Sequence, residues 1–316
     1  MRRAPWLGFW LLTNASLALY ACGSRTGFSL DDELVTEPDD AATDALVRTD
    51  ASRRDVFVPP DSLPPIDSRP NVDVRRNDCP DADATLVYVI SSDYRLYSFY
   101  PPTATFVPIG QIACPSGATP YSMAVDRKGK AYVVFTDGRL FQVSTSTAAC
   151  VATAFVPGQS GFRTFGMGFV SNTGGPEETL FVAEGDGTSA TSSGIAAIDT
   201  TTFKLGFIGG MSPPQSRVEL TGTGDGRLFG YSPNNSGSKI IQIDKTSGNV
   251  VGVDPVAAGG SNDAFAFAFW GGDFWIFTGP STTGVYRYRA TDKTTTFVTN
   301  APALIVGAGV STCAPQ

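Results

Sequence analysis

From residue 79 onward, short apolar runs alternate with turns rich in Gly and Asp, and the alternation recurs as a unit. The first clear copy is Tyr121-Ser-Met-Ala-Val-Asp126, a turn through Gly129, and Ala131-Tyr-Val-Val-Phe135. It returns as Phe165-Gly-Met-Gly-Phe-Val170 with Thr179-Leu-Phe-Val-Ala183, then as Val218-Glu-Leu-Thr221 with Arg227-Leu-Phe-Gly-Tyr231. A fourth copy is Ala264-Phe-Ala-Phe-Ala-Phe-Trp270 with Asp273-Phe-Trp-Ile-Phe277. Leu304-Ile-Val-Gly-Ala-Gly-Val310 is a half-copy with no second run after it. Runs of this length, β-branched or aromatic and bounded by turn residues, predict strands joined as hairpins. Several are apolar on both faces, which fits sheets buried between neighbours.

Each complete copy continues into a third run: Leu140–Val143, Ile195–Ile198, Ile240–Ile243 or Val285–Tyr288. Turns such as Asp244-Lys-Thr-Ser-Gly248 then lead into a fourth. The copies start 44, 53, 46 and 40 residues apart, the length of one four-stranded propeller blade. The pattern predicts an all-β fold, a β-propeller of five four-stranded blades over residues 79–316. Leu304–Val310 would be the innermost strand of the first blade, whose other strands are Leu86–Ile90, Arg95–Phe99 and Thr105–Ile109. Pairing of N- and C-terminal strands would then close the ring. A β-sandwich followed by a β-barrel is the structural alternative, and six blades would leave only about 40 residues for each.

The first 78 residues do not follow this pattern. Arg2 and Arg3 precede a mixed apolar stretch, Trp6–Tyr20, which falls short of the roughly 20 apolar residues of a transmembrane helix. Residues 1–21 therefore read as a signal peptide. Leu19-Tyr20-Ala21-Cys22-Gly23 resembles a bacterial lipobox. That resemblance implies cleavage before Cys22 and lipidation of its thiol, so that the chain is held on the membrane by several acyl chains. Gly23 at the following position implies an outer-membrane lipoprotein. An ordinary secretory signal with an incidental cysteine is the alternative. Residues 22–78 carry thirteen acids, seven arginines and six prolines, with Phe28 and Phe57 as the only aromatics. Such a stretch predicts a disordered acidic, Pro-rich tether, extended at Val56–Pro60 and Leu63-Pro64-Pro65. It serves as a passive spacer or docks a partner through a Pro-rich patch.

Charge and composition narrow the function further. Of the formal charge of −7, the tether accounts for 7 − 13 = −6 and the leader for +2, leaving −3 on the ring. An acidic chain of this kind excludes a nucleic-acid binder that works by neutralising phosphates. Histidine is absent, which removes Ser-His-Asp and Cys-His nucleophile systems and every His-ligated zinc site. Four cysteines remain beyond Cys22 in a chain read as exported, so disulfides are expected. Cys79 lies just before the first run and Cys313 just after the last, placing a Cys79–Cys313 bridge where the ring lacks a hairpin. Cys114–Cys150 follows by exclusion. The strand assignment sets those two near opposite ends of adjacent outer strands, in conflict with that pairing.

The ring segment resembles β-propeller lipoproteins of Gram-negative bacteria, myxobacterial ones especially. The likeness rests on Cys79-Pro-Asp, Ser122-Met-Ala-Val-Asp126, Phe165-Gly-Met-Gly168, Glu219-Leu-Thr-Gly-Thr-Gly224, Ala266-Phe-Ala-Phe-Trp-Gly-Gly272 and Gly307-Ala-Gly-Val-Ser-Thr-Cys313. It covers about three quarters of the chain and implies the propeller and the cell envelope. It brings no catalytic or binding assignment.

Asp126, Asp225 and Asp273 suggest a carboxylate ring of the metal-dependent lactonase kind, but each stands at a Gly turn, where Asp caps the turn with its own side chain. Glu184 and Asp186 are weak calcium candidates through hard oxygen ligands. Trp270, Phe274 and Trp275 suit sugar stacking or the core between blades. Binding is favoured over catalysis. Loops entering the innermost strands, with those between second and third strands, should crowd one face and bring together Asp93, Arg163, Asp186, Arg217, Asn234, Asn235 and Asp263. Mixed charge and amides around a bowl suit an envelope protein or a glycan. The expectation is a non-enzymatic envelope platform with no required cofactor. A calcium-dependent hydrolase and a purely structural component are the alternatives.

Overall fold

The computed structural model describes Leu63, Ile66 and residues 85–172, 176–185, 192–234, 237–259 and 263–316. The lipid-attachment candidate Cys22, the signal peptide, Cys79, Asp186 and Asn235 lie outside these residues. The described strands form five four-stranded antiparallel sheets, the blades of a propeller. The chain begins with β1 (Val87–Ser91), β2 (Arg95–Tyr100) and β3 (Thr105–Gln111) of blade 1. Blade 2 is β4 (Pro120–Val125), β5 (Lys130–Phe135), β6 (Leu140–Ser144) and β7 (Cys150–Ala152). Blade 3 is β8 (Phe165–Ser171), β9 (Glu178–Glu184), β10 (Ile195–Ile198) and β11 (Leu205–Gly209). Blade 4 is β12 (Glu219–Gly222), β13 (Leu228–Ser232), β14 (Ser238–Ile243) and β15 (Val250–Val256). Blade 5 is β16 (Ala264–Trp270), β17 (Asp273–Gly279), β18 (Gly284–Arg289) and β19 (Thr294–Asn300), and β20 (Ile305–Val310) follows. β20 returns to blade 1 and pairs antiparallel with β1, Val310 opposite Val87, so that the sheet order there is β20-β1-β2-β3. The five-blade reading and its closing strand pair are both present.

Local chemistry accounts for the hairpins. Asp126 Oδ1 accepts hydrogen bonds from the amides of Lys128 and Lys130 at 2.9 and 2.8 Å, and Gly129 takes φ +72°. The carboxylate supplies the acceptor of the turn and the glycine its left-handed residue. Asp225 accepts from the Thr223 hydroxyl and forms a buried ion pair with Arg227 at 2.7 Å. Asp273 faces Arg287 and Arg289 at 3.8 and 3.7 Å. All three aspartates are thus engaged within their own blades.

The innermost strands β4, β8, β12, β16 and β20 pack one on the next around a closed ring. Glycine sets how tightly. A Cβ on Gly166 would lie 2.0 Å from the Val218 carbonyl oxygen, and one on Gly222 2.1 Å from that of Phe169. Gly168, Gly307 and Gly309 abut neighbouring backbone in the same way. Backbones therefore meet where other strands would need side chains, and the axis is filled. It is lined by Ala124, Met167, Phe169, Leu220, Thr221 and Ala308, with no room for a water molecule.

Between the blades lie five apolar seams. The richest, between blades 4 and 5, holds Phe229, Tyr231, Phe265, Phe267, Phe269, Phe274 and Tyr288. Its rings meet edge-on or offset at 4.9–6.4 Å, arrangements that aromatic quadrupoles favour. Phe274 and Trp275 are buried here and in the next seam. Trp270 spends its indole N–H on the Thr85 carbonyl at 2.7 Å. The core reading of these aromatics is the one realised.

Cys114 and Cys150 are bonded, with their Cα atoms 5.1 Å apart. The expectation that they lie at opposite ends of adjacent outer strands is therefore corrected. Each strand is rotated on its neighbour by about 20–25°, so by the fourth the outer strand lies across the blade edge. The end of β3 then reaches the start of β7, where Gly110 meets Ala148. Later blades repeat the arrangement: Gly209 at the end of β11 abuts Ser247 before β15, and the Ala257 amide donates to Thr295 Oγ1 of β19. Cys313 is also disulfide-bonded. Its partner is outside the described residues.

Candidate binding site at the mouth of the ring

All five innermost strands start on the same face, where the loops preceding them and the turns between second and third strands gather. At the centre of this mouth face is a cavity of about 210 Å³. Its wall includes Thr119, Tyr121, Thr136, Arg217, Asp263 and Phe265, and Glu219 forms part of its floor. The Tyr121 hydroxyl donates to the Gly185 carbonyl at 2.5 Å, tying blade 2 to blade 3. The Arg217 guanidinium lies 5.4 Å from the centre of the Phe265 ring, a cation–π stack between the approaches to blades 4 and 5. Burial raises the Tyr121 phenol above its ordinary value, with Arg217 pulling the other way.

Glu219 is the unusual residue of this site. It begins β12 in blade 4 yet accepts the Ser122 hydroxyl of blade 2 at 2.8 Å. These blades are not neighbours, so the bond crosses the axis. The Met167 backbone of blade 3 also hydrogen-bonds to the carboxyl. Burial holds Glu219 well above the usual carboxylate range against those bonds and Arg217, which favours the neutral acid. Three blades thus converge on one buried carboxyl directly beneath the cavity.

Of the residues expected on this face, Arg217 and Asp263 line the cavity. Asp93 stands apart at the β1–β2 turn of blade 1, accepting from Ser91 Oγ at 2.5 Å and pairing with Arg95 at 3.3 Å. Arg163 backs onto the Gly138 turn of blade 2. Asn234 sits in the β13–β14 turn, its carbonyl accepting from the Gly237 amide at 3.0 Å. Sequence reasoning missed Tyr121, Ser122, Thr136 and Glu219. Their signal was weak, because each lies at the start or end of an apolar run and reads as strand. Glu184, a calcium candidate, is buried and accepts the Ser193 amide at 3.0 Å. Among the described residues, no group of three or more acidic or cysteine side chains is arranged to hold a metal ion.

The opposite face is closed by polar bonding. Arg127 of blade 2 donates through Nε to Thr312 Oγ1 and through Nη2 to Ser171 Oγ, both at 2.8 Å. Glu178 accepts the Arg127 amide at 2.6 Å and the Thr312 hydroxyl at 2.9 Å. Burial pushes Glu178 up to about 7. A larger hollow of about 540 Å³ lies on the flank of blade 3, between Glu178 and Lys204. The mouth cavity is the better candidate site because charged, phenolic and aromatic groups from three blades converge on it.

No family model and no curated protein matches this chain. Among solved structures, the nidogen/laminin complex is similar over 72% of this chain and 98% of that one, at 9% identity and a TM-score of 0.47. The Dos1 propeller is similar over 72% and 71%, at 10% identity and a TM-score of 0.38. A protein of unknown function from Bacteroides caccae is similar over 71% and 85%, at 13% identity and a TM-score of 0.38. Likenesses this remote carry no functional argument, and the fold assignment rests on the strand pairing itself.

Proposed function

We propose that this chain is a membrane-anchored envelope lipoprotein whose propeller is a non-enzymatic binding platform, presenting its mouth face to an envelope protein or glycan. The observation that carries the platform is the convergence of Tyr121, Arg217, Asp263 and Phe265 on one cavity above a filled axis. Tyr121 is bonded to Gly185 and Arg217 is stacked on Phe265, so partners meet preorganised groups and less ordering entropy is lost on binding. Support for the anchor is the lipobox-like sequence ending at Cys22, followed by an acidic, Pro-rich stretch long enough to hold the ring off a bilayer. A lactonase-type site needs carboxylates converging on an open axis. Here the described axis is lined by residues such as Ala124, Met167, Leu220 and Ala308, and the Glu219 carboxyl at its mouth is favoured in the neutral form.

The platform is tested with purified envelope glycans, namely peptidoglycan sacculi and lipopolysaccharide vesicles, and the full chain. Expected is saturable binding that weakens at least tenfold in Arg217→Ala. Equal binding by wild type and variant would move the site away from the mouth. The anchor is tested by radiolabelled palmitate, which should label the wild-type chain and not Cys22→Ala. Thermal midpoints in millimolar calcium and in excess EDTA should coincide. A shift of several degrees, expected of a well-filled site, would restore the metal-dependent reading.

A further inference from the structure

Ile66, far outside the predicted strands, is 5% exposed and belongs to the apolar seam between blades 4 and 5. The other seams show why a residue from so far upstream is there. Each connector running from an outer strand to the next innermost strand lies over a seam. The connector after β3 supplies Ile112 and the disulfide, and the one after β7 supplies Phe155 and Phe162. The connector after β11 supplies Met211. The connector after β19 is four residues long and closes its seam with Ala301 and Ala303. The connector after β15 reads Ala257-Ala-Gly-Gly-Ser-Asn-Asp263 and, among its described residues, offers only Ala258 to the cluster. Blades 4 and 5 thus meet at a seam whose own connector has no large apolar side chain.

We infer that this seam is a docking groove whose occupant is the Leu63-Pro-Pro-Ile66 segment of the same chain. The chemistry of the segment suits the role. Ile66 provides the missing aliphatic plug, and Leu63 stands more open, at 36% exposure. The two intervening prolines limit the conformations the free segment loses on docking. Asp61 and Asp67 flank it in sequence. The segment lies near enough in sequence to the ring to be held at millimolar or higher effective concentration. Docking holds Ile66 on the ring. A partner carrying the same aliphatic–proline chemistry competes for the groove and displaces Ile66. The inference is independent of what binds at the mouth.

Hydrogen exchange on the full chain tests this, comparing wild type, Ile66→Asp and the control Leu63→Asp. Amides of residues 255–268 should exchange at least tenfold faster in Ile66→Asp, with blade 2 unchanged and Leu63→Asp close to wild type. A peptide of residues 58–70 at millimolar concentration should restore slow exchange to Ile66→Asp and leave wild type as it was. Unchanged exchange in Ile66→Asp would overturn the docking. Faster exchange that the peptide does not reverse would also overturn it, because Ile66 would then be a fixed piece of core. Faster exchange throughout all five blades would do the same.

Discussion

Gly222 and Gly206 differ in what surrounds them, and the difference is measurable. A methyl group at Gly222 meets the Phe169 carbonyl at 2.1 Å, whereas nothing lies within 4 Å of one at Gly206. Gly222→Ala must push β12 away from β8, so a loss of about 3 kcal/mol or more is expected. Gly206→Ala should leave the denaturation midpoint within error, and urea unfolding of both variants checks the contrast. Glu178 sets a second test. Its carboxyl is raised from 4.5 to about 7 by burial, so the folded protein holds a proton that the unfolded chain releases. That contribution is fully present below about pH 4.5 and is lost as pH rises through 7, amounting to about 3 kcal/mol at most. Glu219, also raised by burial, acts in the same direction. Burial opposes the shift at Asp137 and, less strongly, at Asp244, but hydrogen bonds lower both, and their contribution to stability is lost only as pH falls below the usual range near pH 4. Thermal stability should therefore peak near pH 4–5 and fall toward pH 8. Glu178→Gln should flatten the fall and melt several degrees above wild type at pH 8. Equal slopes would assign the proton elsewhere. Neither residue announces itself in the sequence: Glu219 meets Ser122 across 97 positions, and only the ring brings them together.

At the level of strands and turns, much was legible. The Gly and Asp positions that end each apolar run are the turns found, because Asp126 and Gly129 make their bonds within five residues. The strands paired with them differ from expectation by a residue or two. The Cys114–Cys150 pairing was legible by exclusion, but the placement of the strand ends that permits it was not, since that follows from twist accumulated across four strands. Their bond closes a loop of 36 residues. On the chain-entropy account this contributes about 3–4 kcal/mol. Cys114→Ser with Cys150→Ser should lower the urea midpoint accordingly, while an effect below 1 kcal/mol would show that the unbonded outer strands already hold each other. The repeated end-to-start contact at Gly209 and at Ala257 gives those edges a second means of support. The seam connectors were the least legible elements, because a missing side chain in one stretch is informative only beside the stretches it resembles in space.

For the whole molecule, the number of blades and the way the ring closes were readable from repeat spacing, and the filled axis was not. Spacing reports how many blades there are, whereas the width of the axis depends on whether backbones touch, which Gly166, Gly168, Gly222, Gly307 and Gly309 decide together. The site on the mouth face was half legible. Loops entering the innermost strands were the right place to look, and Arg217 and Asp263 were found there, but the strand residues beneath them were hidden inside apolar runs. A ring built this way should unfold as a unit. Circular dichroism and tryptophan fluorescence should report coincident urea transitions, and separated ones would mean that the seam between blades 5 and 1, which holds Trp270 and Trp275, opens apart from the rest.

The pairing of β20 with β1 also orders events in time. β1 waits for a partner made more than two hundred residues later, and until then blade 1 exposes an unsatisfied inner edge of the kind that recruits foreign strands. Blades 2 to 4 can assemble as they emerge from the ribosome, but the circle cannot shut before its final strand arrives. Folding should be slow for a chain of this size, as non-local pairing dictates, and a holdase would be most valuable in that interval. A premature stop before Ile305 would therefore leave a nearly full-length chain that is a substrate for proteolysis and aggregation.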